Sequence, residues 1–256
     1  MQVARTEQQI EIPTSWSALP MGDWVAAEIQ ERLDNWCPNL FGYHLLKIGA
    51  LSAELSCKRS SIRHQIGVAP GGRLLDMYGD PLDLPVRTGS VDACLLAHCL
   101  DFSADPHQVL REAERVLTDD GWLIISGYNP LSLVGIGHCV PFLRRRMPWS
   151  ARMFTPGRVT DWLHLLGCEV MFDERFGYSF MGKQSWHSWW QESIGRDYCR
   201  VFASVYVIAA RKRRFPLIPV RRRWQLPKSL ATPGMARQGW QLPKSLATPG
   251  MARQGW

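Results

Sequence analysis

The chain has no apolar run of the roughly 20 residues that a bilayer span requires. Its opening residues, MQVARTEQQIEIP, lack the apolar segment of a signal peptide. These absences make the cytoplasm the expected location. Also missing is any CxxC pair. The cysteines are seven, an odd number: Cys37, Cys57, Cys94, Cys99, Cys139, Cys168 and Cys199. That pattern argues against a disulfide framework and against a structural zinc site, so no metal is expected. The thiols read as small buried apolar residues. Acidic residues are absent from Arg211 to the end, a stretch holding eleven Lys or Arg. The net charge of +7 therefore belongs to the tail. Without it, 19 basic and 23 acidic residues remain, a balance of −4.

The tail also contains an exact duplication, QLPKSLATPGMARQGW, at 225–240 and again at 241–256. Two such short units cannot build a repeat architecture, and disorder is expected. The basic clusters at 211–214 and 221–223 offer contact with nucleic acid or an anionic surface. A solvated tail is the simpler account. With 256 residues, 46% of them apolar and 21% charged, the rest suffices for one domain with a full core. The expected division is a leader over 1–20, a domain over 21–212 and the basic tail over 213–256.

What organises the chain is the stretch from Gly79 to Leu133. Val91 to Ala97 is nearly all apolar, as in a parallel strand covered on both faces. Asp105 and Pro106 are a helix N-cap and a proline at the first helical position. Val109, Leu110, Ala113, Val116 and Leu117 then recur at helical spacing, with Arg111, Glu112, Glu114 and Arg115 opposite. Asp119, Asp120 and Gly121 read as a turn, and Trp122 to Ser126 as a second buried strand. Strand, helix, strand is a crossover unit, so the fold class is α/β.

Elsewhere the pattern is less regular. Trp24 to Trp36 predicts a helix capped by Asp23, with Trp24, Val25, Ile29, Leu33 and Trp36 on one face. Strands are predicted over 43–48, 62–68 and 74–78, and a short helix starting near Ala53. The gap between the second and third strands is too short for an ordinary crossover helix. Residues 131–154 read as a mobile insertion. Thr155-Pro156-Gly157 opens a helix, and strands follow over 168–176 and 203–210. Phe176, Tyr178, Phe180, Trp186, Trp189 and Trp190 lie between these two. They suit either a lid over a flat or apolar acceptor or packing against the sheet.

The order GD, LDLP, S-VD, H, L-D, DPHQ, LREA, RVL, DG and NP between Gly79 and Pro130 resembles the central part of class I S-adenosylmethionine-dependent methyltransferases. The nearest type acts on small molecules and includes quinone-biosynthesis methyltransferases and many uncharacterised bacterial relatives. Weaker similarity runs from Trp24 to Lys212. The resemblance implies a single Rossmann-like domain. Its seven-stranded sheet would be mostly parallel, end in an antiparallel hairpin and be shortened between strands 2 and 3. It also implies S-adenosylmethionine as cofactor, bound beyond the carboxyl ends of the strands at the switch point beside the first.

Within that resemblance, Gly49 falls on the glycine-rich loop that lets the backbone pass close to the cofactor. Lys47 stands where the family has an acid, and Leu51 and Ala53 replace its later glycines. No acid ends the second strand to take the ribose hydroxyls, unless Asp76 does so in another register. Asp80 matches the acid that meets the adenine amine, with Leu82 beside the ring; both also suit a plain turn. His98 falls at the methionine end of the cofactor. It reads equally as a strand-end cap or as a base acting on an oxygen or carbon acid. Tyr128 and Asn129 fall near the acceptor, Asn129 being equally a turn residue. The implied activity is methyl transfer to a small-molecule acceptor. The degenerate loop leaves open an inactive protein that keeps the fold for binding or scaffolding. The tetrapeptide of base methylases is absent, since Asn129-Pro130 continues as Leu131-Ser132.

Overall fold

The computed structural model describes residues 11–137, 147–177 and 200–213. Of the aromatic segment expected over 176–190, Phe176 is buried in the core, while the rest from 178, part of the expected insertion and the duplicated tail lie outside the described residues. Seven strands form one sheet: β1 (His44–Ile48), β2 (His64–Ala69), β3 (Met77–Tyr78), β4 (Val91–Ala97), β5 (Leu117–Tyr128), β6 (Cys168–Phe176) and β7 (Val205–Lys212). Their order is β3-β2-β1-β4-β5-β7-β6. The first five are parallel, and β7 runs antiparallel to both neighbours. The α/β class and the closing antiparallel hairpin are those expected.

Helices α1 (Gly22–Trp36), α2 (Ala50–Glu54), α3 (Pro106–Val116), α4 (Leu133–Gly137) and α5 (Pro156–Leu165) complete the fold. Strand residues alternate between faces, and each face is apolar. On one side Leu45, Leu95, Ile124 and Val207 meet Val25, Ile29 and Leu33 of α1. On the other, Leu46, Leu96, Ile125 and Ile208 meet Val109, Leu110 and Ala113 of α3 and Val159 and Leu163 of α5.

Four local expectations are corrected. Helix α1 begins at Gly22, after Met21 in the left-handed conformation, so Asp23 lies in its first turn and is not the cap. A side chain at Gly22 would strike the Trp16 carbonyl, and this close approach fixes the entry angle. Strand β5 starts at Leu117, and Asp119-Asp120-Gly121 is absorbed as an irregularity opposite Val91 and Ala93. Strand β3 shrinks to Met77–Tyr78, and residues 70–76 hold no helix. Helix α2 starts at Ala50, directly after Gly49, rather than near Ala53. The segment before α1 also does more than lead in: Trp16 and Leu19 are buried in the core.

Helix α3 holds the loop between β3 and β4. Asp105 caps it, accepting from the His107 and Gln108 N–H groups at 3.1 Å each. Glu112 Oε2 accepts from the Leu84 N–H at 3.0 Å. Arg115 donates to Glu112, to the Leu84 and Val86 carbonyls and to Thr88 Oγ1. The Arg115 hydrogen bonds hold the Glu112 carboxyl below its usual range despite burial, and the Leu84 N–H adds to this. A depressed carboxyl stabilises the fold above its unfolded value of about 4.3, and the gain is lost as pH falls through the folded value. Glu112→Gln is therefore expected to cost about 2 kcal/mol at pH 7. The deficit should close below about pH 4; urea unfolding across pH measures it.

Candidate functional site

The site opens where β1 and β4 part. Their pairing runs Leu45 with Ala93, Leu46 with Cys94 and Lys47 with Leu95. Continued one step, the next rung would join the Ala97 N–H to the Ile48 carbonyl. The Ser52 hydroxyl stands in that rung instead. It donates to Ile48 O at 2.6 Å and accepts from the Ala97 N–H at 2.7 Å. Each strand keeps its outer partner: Gly49 N–H donates to Val68 O of β2 at 2.8 Å, and His98 N–H to Ser126 O of β5 at 3.0 Å. The two chains then turn apart at Gly49 (φ 96°) and His98 (φ 51°). Glycine reaches such a φ freely, whereas a histidine there is strained and is held by its contacts.

The crevice is a cavity of about 280 Å³, near the lower end for small-molecule sites. Gly49, Ala50, Leu51, Asp80, Leu82 and His98 are in its wall, with Pro70, Cys99 and Phe102. Four of the six residues that the resemblance singles out thus meet: Gly49, Asp80, Leu82 and His98. The Asp80 Oδ1 accepts from the Leu82 N–H at 2.9 Å, closing a tight turn at the rim. Leu51 does not plug the crevice. Its side chain joins the apolar core, and its carbonyl accepts the Trp16 indole N–H at 2.9 Å. Burial pushes the Cys99 thiol up to about 12, so it is no thiolate at neutral pH.

The other sequence-stated residues lie elsewhere. Lys47 donates to the Leu55 carbonyl at 2.7 Å, and burial lowers its pKa. The Asp76 carboxylate accepts the Gly67 N–H at 2.7 Å, spanning the start of β3 and the middle of β2. Asn129 is buried. It donates to the Val201 and Ala203 carbonyls and accepts from the Leu131 N–H, so its amide ties the end of β5 to the entry of β7. Tyr128 lies behind His98, their rings 4.1 Å apart. Neither is in the cavity wall, because β5 ends one strand away from the crevice.

His98 is fully buried, and Asp101 with it. Its Nδ1 lies 2.8 Å from Asp101 Oδ2, which also accepts the Tyr128 N–H at 2.9 Å. With Asp101 ionised, this oxygen accepts from the Nδ1–H as well as from the Tyr128 amide, and Nε2 has no hydrogen-bond partner among the described residues. Burial raises the Asp101 carboxyl, and the His98 and Tyr128 contacts oppose that rise. The Trp16 ring stands edge-on to His98 at 5.5 Å. Trp16, Ser52 and Asp101 escape the sequence reading; the last two have a signal, being polar residues close after turns at Gly49 and His98.

The residues fit a sulfonium nucleoside in part. A bare glycine at the turn, an apolar flank by Leu82, a carboxylate at the rim and an orphaned imidazole nitrogen all suit it. At the end of β2, Pro70 offers neither an acid nor an N–H for a ribose. Two outcomes test the geometry. Ser52→Ala leaves the Ala97 N–H and Ile48 carbonyl unpaired and is expected to cost about 1–3 kcal/mol by denaturant unfolding. Nitrogen-15 shifts of His98 should report the Nδ1–H tautomer, and Asp101→Asn should remove that preference.

Comparison with known proteins agrees with this construction. Residues 59–125 match the family model described as a methyltransferase domain. The chain is 40% identical over 240 residues to the uncharacterized protein YafS of Escherichia coli, covering 93% of this chain and 98% of that one. Among solved structures, a SAM-dependent methyltransferase of Thermotoga maritima, given as a possible histamine N-methyltransferase, superposes with a TM-score of 0.52 at 18% identity. That match covers 74% of this chain and 92% of that one. One of Archaeoglobus fulgidus gives 0.53 at 19%, covering 73% and 94%. By sequence the chain belongs to one family with YafS and carries a methyltransferase domain, and its fold is that of the solved SAM-dependent methyltransferases.

Proposed function

We propose that the protein transfers a methyl group from S-adenosylmethionine to an oxygen or carbon acid of a small molecule, with His98 as the base. The observation that carries this reading is a buried imidazole among the residues lining the crevice, whose Nε2 has no hydrogen-bond partner. The cofactor, when bound, supplies an electrophilic methyl on a sulfonium. The protein's part is then to align the nucleophile and keep water out.

Gly49 and Ala50 would carry the backbone past the cofactor, and Asp80 and Leu82 would take the adenine. His98 Nε2 would accept the proton as the acceptor's oxygen or carbon is alkylated. Asp101 would hold the ring in the tautomer that can do so. An amine arriving neutral needs no such base, which is why an oxygen or carbon acid is favoured. The wall around Leu51, Leu82 and Phe102 suits an acceptor with an apolar body. Among the described residues no helix is long and apolar enough to cross a membrane.

Calorimetric titration of the full chain with S-adenosylmethionine and its demethylated product tests the reading. Saturable binding is expected, weakened at least tenfold in Asp80→Ala, the loss expected for a hydrogen bond to a charged group. With a panel of phenols and enols as acceptors, release of demethylated product should fall by about 10²–10⁴ in His98→Ala. No binding at millimolar cofactor overturns the proposal and leaves a binding or scaffolding role.

A further inference from the structure

At the other end of β1, away from the crevice, two histidines meet. His44 and His64 are register partners on the adjacent parallel strands β1 and β2. Parallel partners project to the same face of the sheet. Their Nδ1 atoms are 2.8 Å apart, with the rings nearly perpendicular at 79°. Both side chains are exposed. A second cavity of about 210 Å³ lies against them, lined also by Ser90 and by Val86 and Val91.

Only one proton fits between two nitrogens at that distance, so one ring donates and the other accepts. A metal ion can replace that proton, because each neutral imidazole then offers a lone pair. The 2.8 Å separation is that of a hydrogen bond, and small ring rotations turn both lone pairs toward one ion beside the pair. Imidazole suits Zn²⁺, Cu²⁺ and Ni²⁺ alike, and Cu²⁺ binds such nitrogen sites most tightly.

We infer that His44 and His64 form a two-histidine site for a divalent transition metal, bridging β1 and β2. Among the described residues no group of three or more His, Cys, Asp or Glu gathers around an ion. Water or a small ligand in the adjoining cavity completes the coordination. The site is distinct from the methyl-transfer crevice and does not rest on that reading. It joins the two strands that carry Gly49 and Pro70 at their far ends.

The test is calorimetric titration of the full chain with Ni²⁺, then with Cu²⁺, for the wild type, His44→Ala, His64→Ala and the double variant. Both residues are exposed, so the variants are expected to keep the wild-type circular dichroism. The wild type should bind one ion per chain through these histidines, Cu²⁺ more tightly than Ni²⁺. Each single variant should lose at least tenfold in affinity, no less than the loss of an outer-shell partner causes. The bound Cu²⁺ should show coupling to two nitrogens in its paramagnetic resonance spectrum. The same affinity and stoichiometry in wild type and double variant overturns the site, as does coupling that persists in the double variant.

Discussion

Two parallel strands that end side by side will go on pairing unless something takes over their last hydrogen bonds. Here the Ser52 hydroxyl does so. It satisfies Ile48 O and the Ala97 N–H across a gap too wide for them to meet, and both are buried. Without a substitute partner, opening the sheet at this point would leave two polar groups orphaned in the core. The crevice therefore exists because α2 follows Gly49 at once and brings Ser52 back over the strand ends. The left-handed turns at Gly49 and His98 are the geometric result.

Everything else at the site is held in place around that opening. The rim loop with Asp80 and Leu82 has little structure of its own, since β3 is two residues long. Its rigidity is borrowed from α3, through Glu112 and Arg115. On the opposite side, Asp101 fixes His98 from below and Tyr128 backs the ring. A strained histidine persists because four separate contacts agree on its position: Ser126 O, Asp101, Trp16 and Tyr128.

The parts of the fold legible in the sequence are those where one local signal acts alone. Val91–Ala97 and Cys168–Phe176 are found with their observed ends, as is the start of α3, because the apolar run of the first, the Gly167 turn before the second and the Asp105-Pro106 cap are unopposed. Where signals compete, tertiary structure decides. Asp119-Asp120-Gly121 looks like a turn but is carried along by strand pairing. Asp23 looks like a cap, yet the chain enters α1 through Met21 because Gly22 must pack on Trp16. Asn129 matches a family motif, but its amide is consumed by backbone carbonyls of a segment over 70 residues away. Lys47 and Leu51 look like damage to a cofactor loop. Lys47 hydrogen-bonds Leu55 away from the crevice, and Leu51 packs into the core as part of the crevice wall, leaving the cavity open. Trp16 could not be found this way, since nothing near it in sequence announces that it will meet Leu51 and His98.

The Trp16 indole has a wider consequence. It is hydrogen-bonded to the very turn that frames the opening and leans on the imidazole within, while Ile12 and Pro13 just upstream form part of the wall. Residues 12–16 thus belong to the chamber itself, and a substitution in this segment alters the wall as directly as one in Gly49 or Leu82.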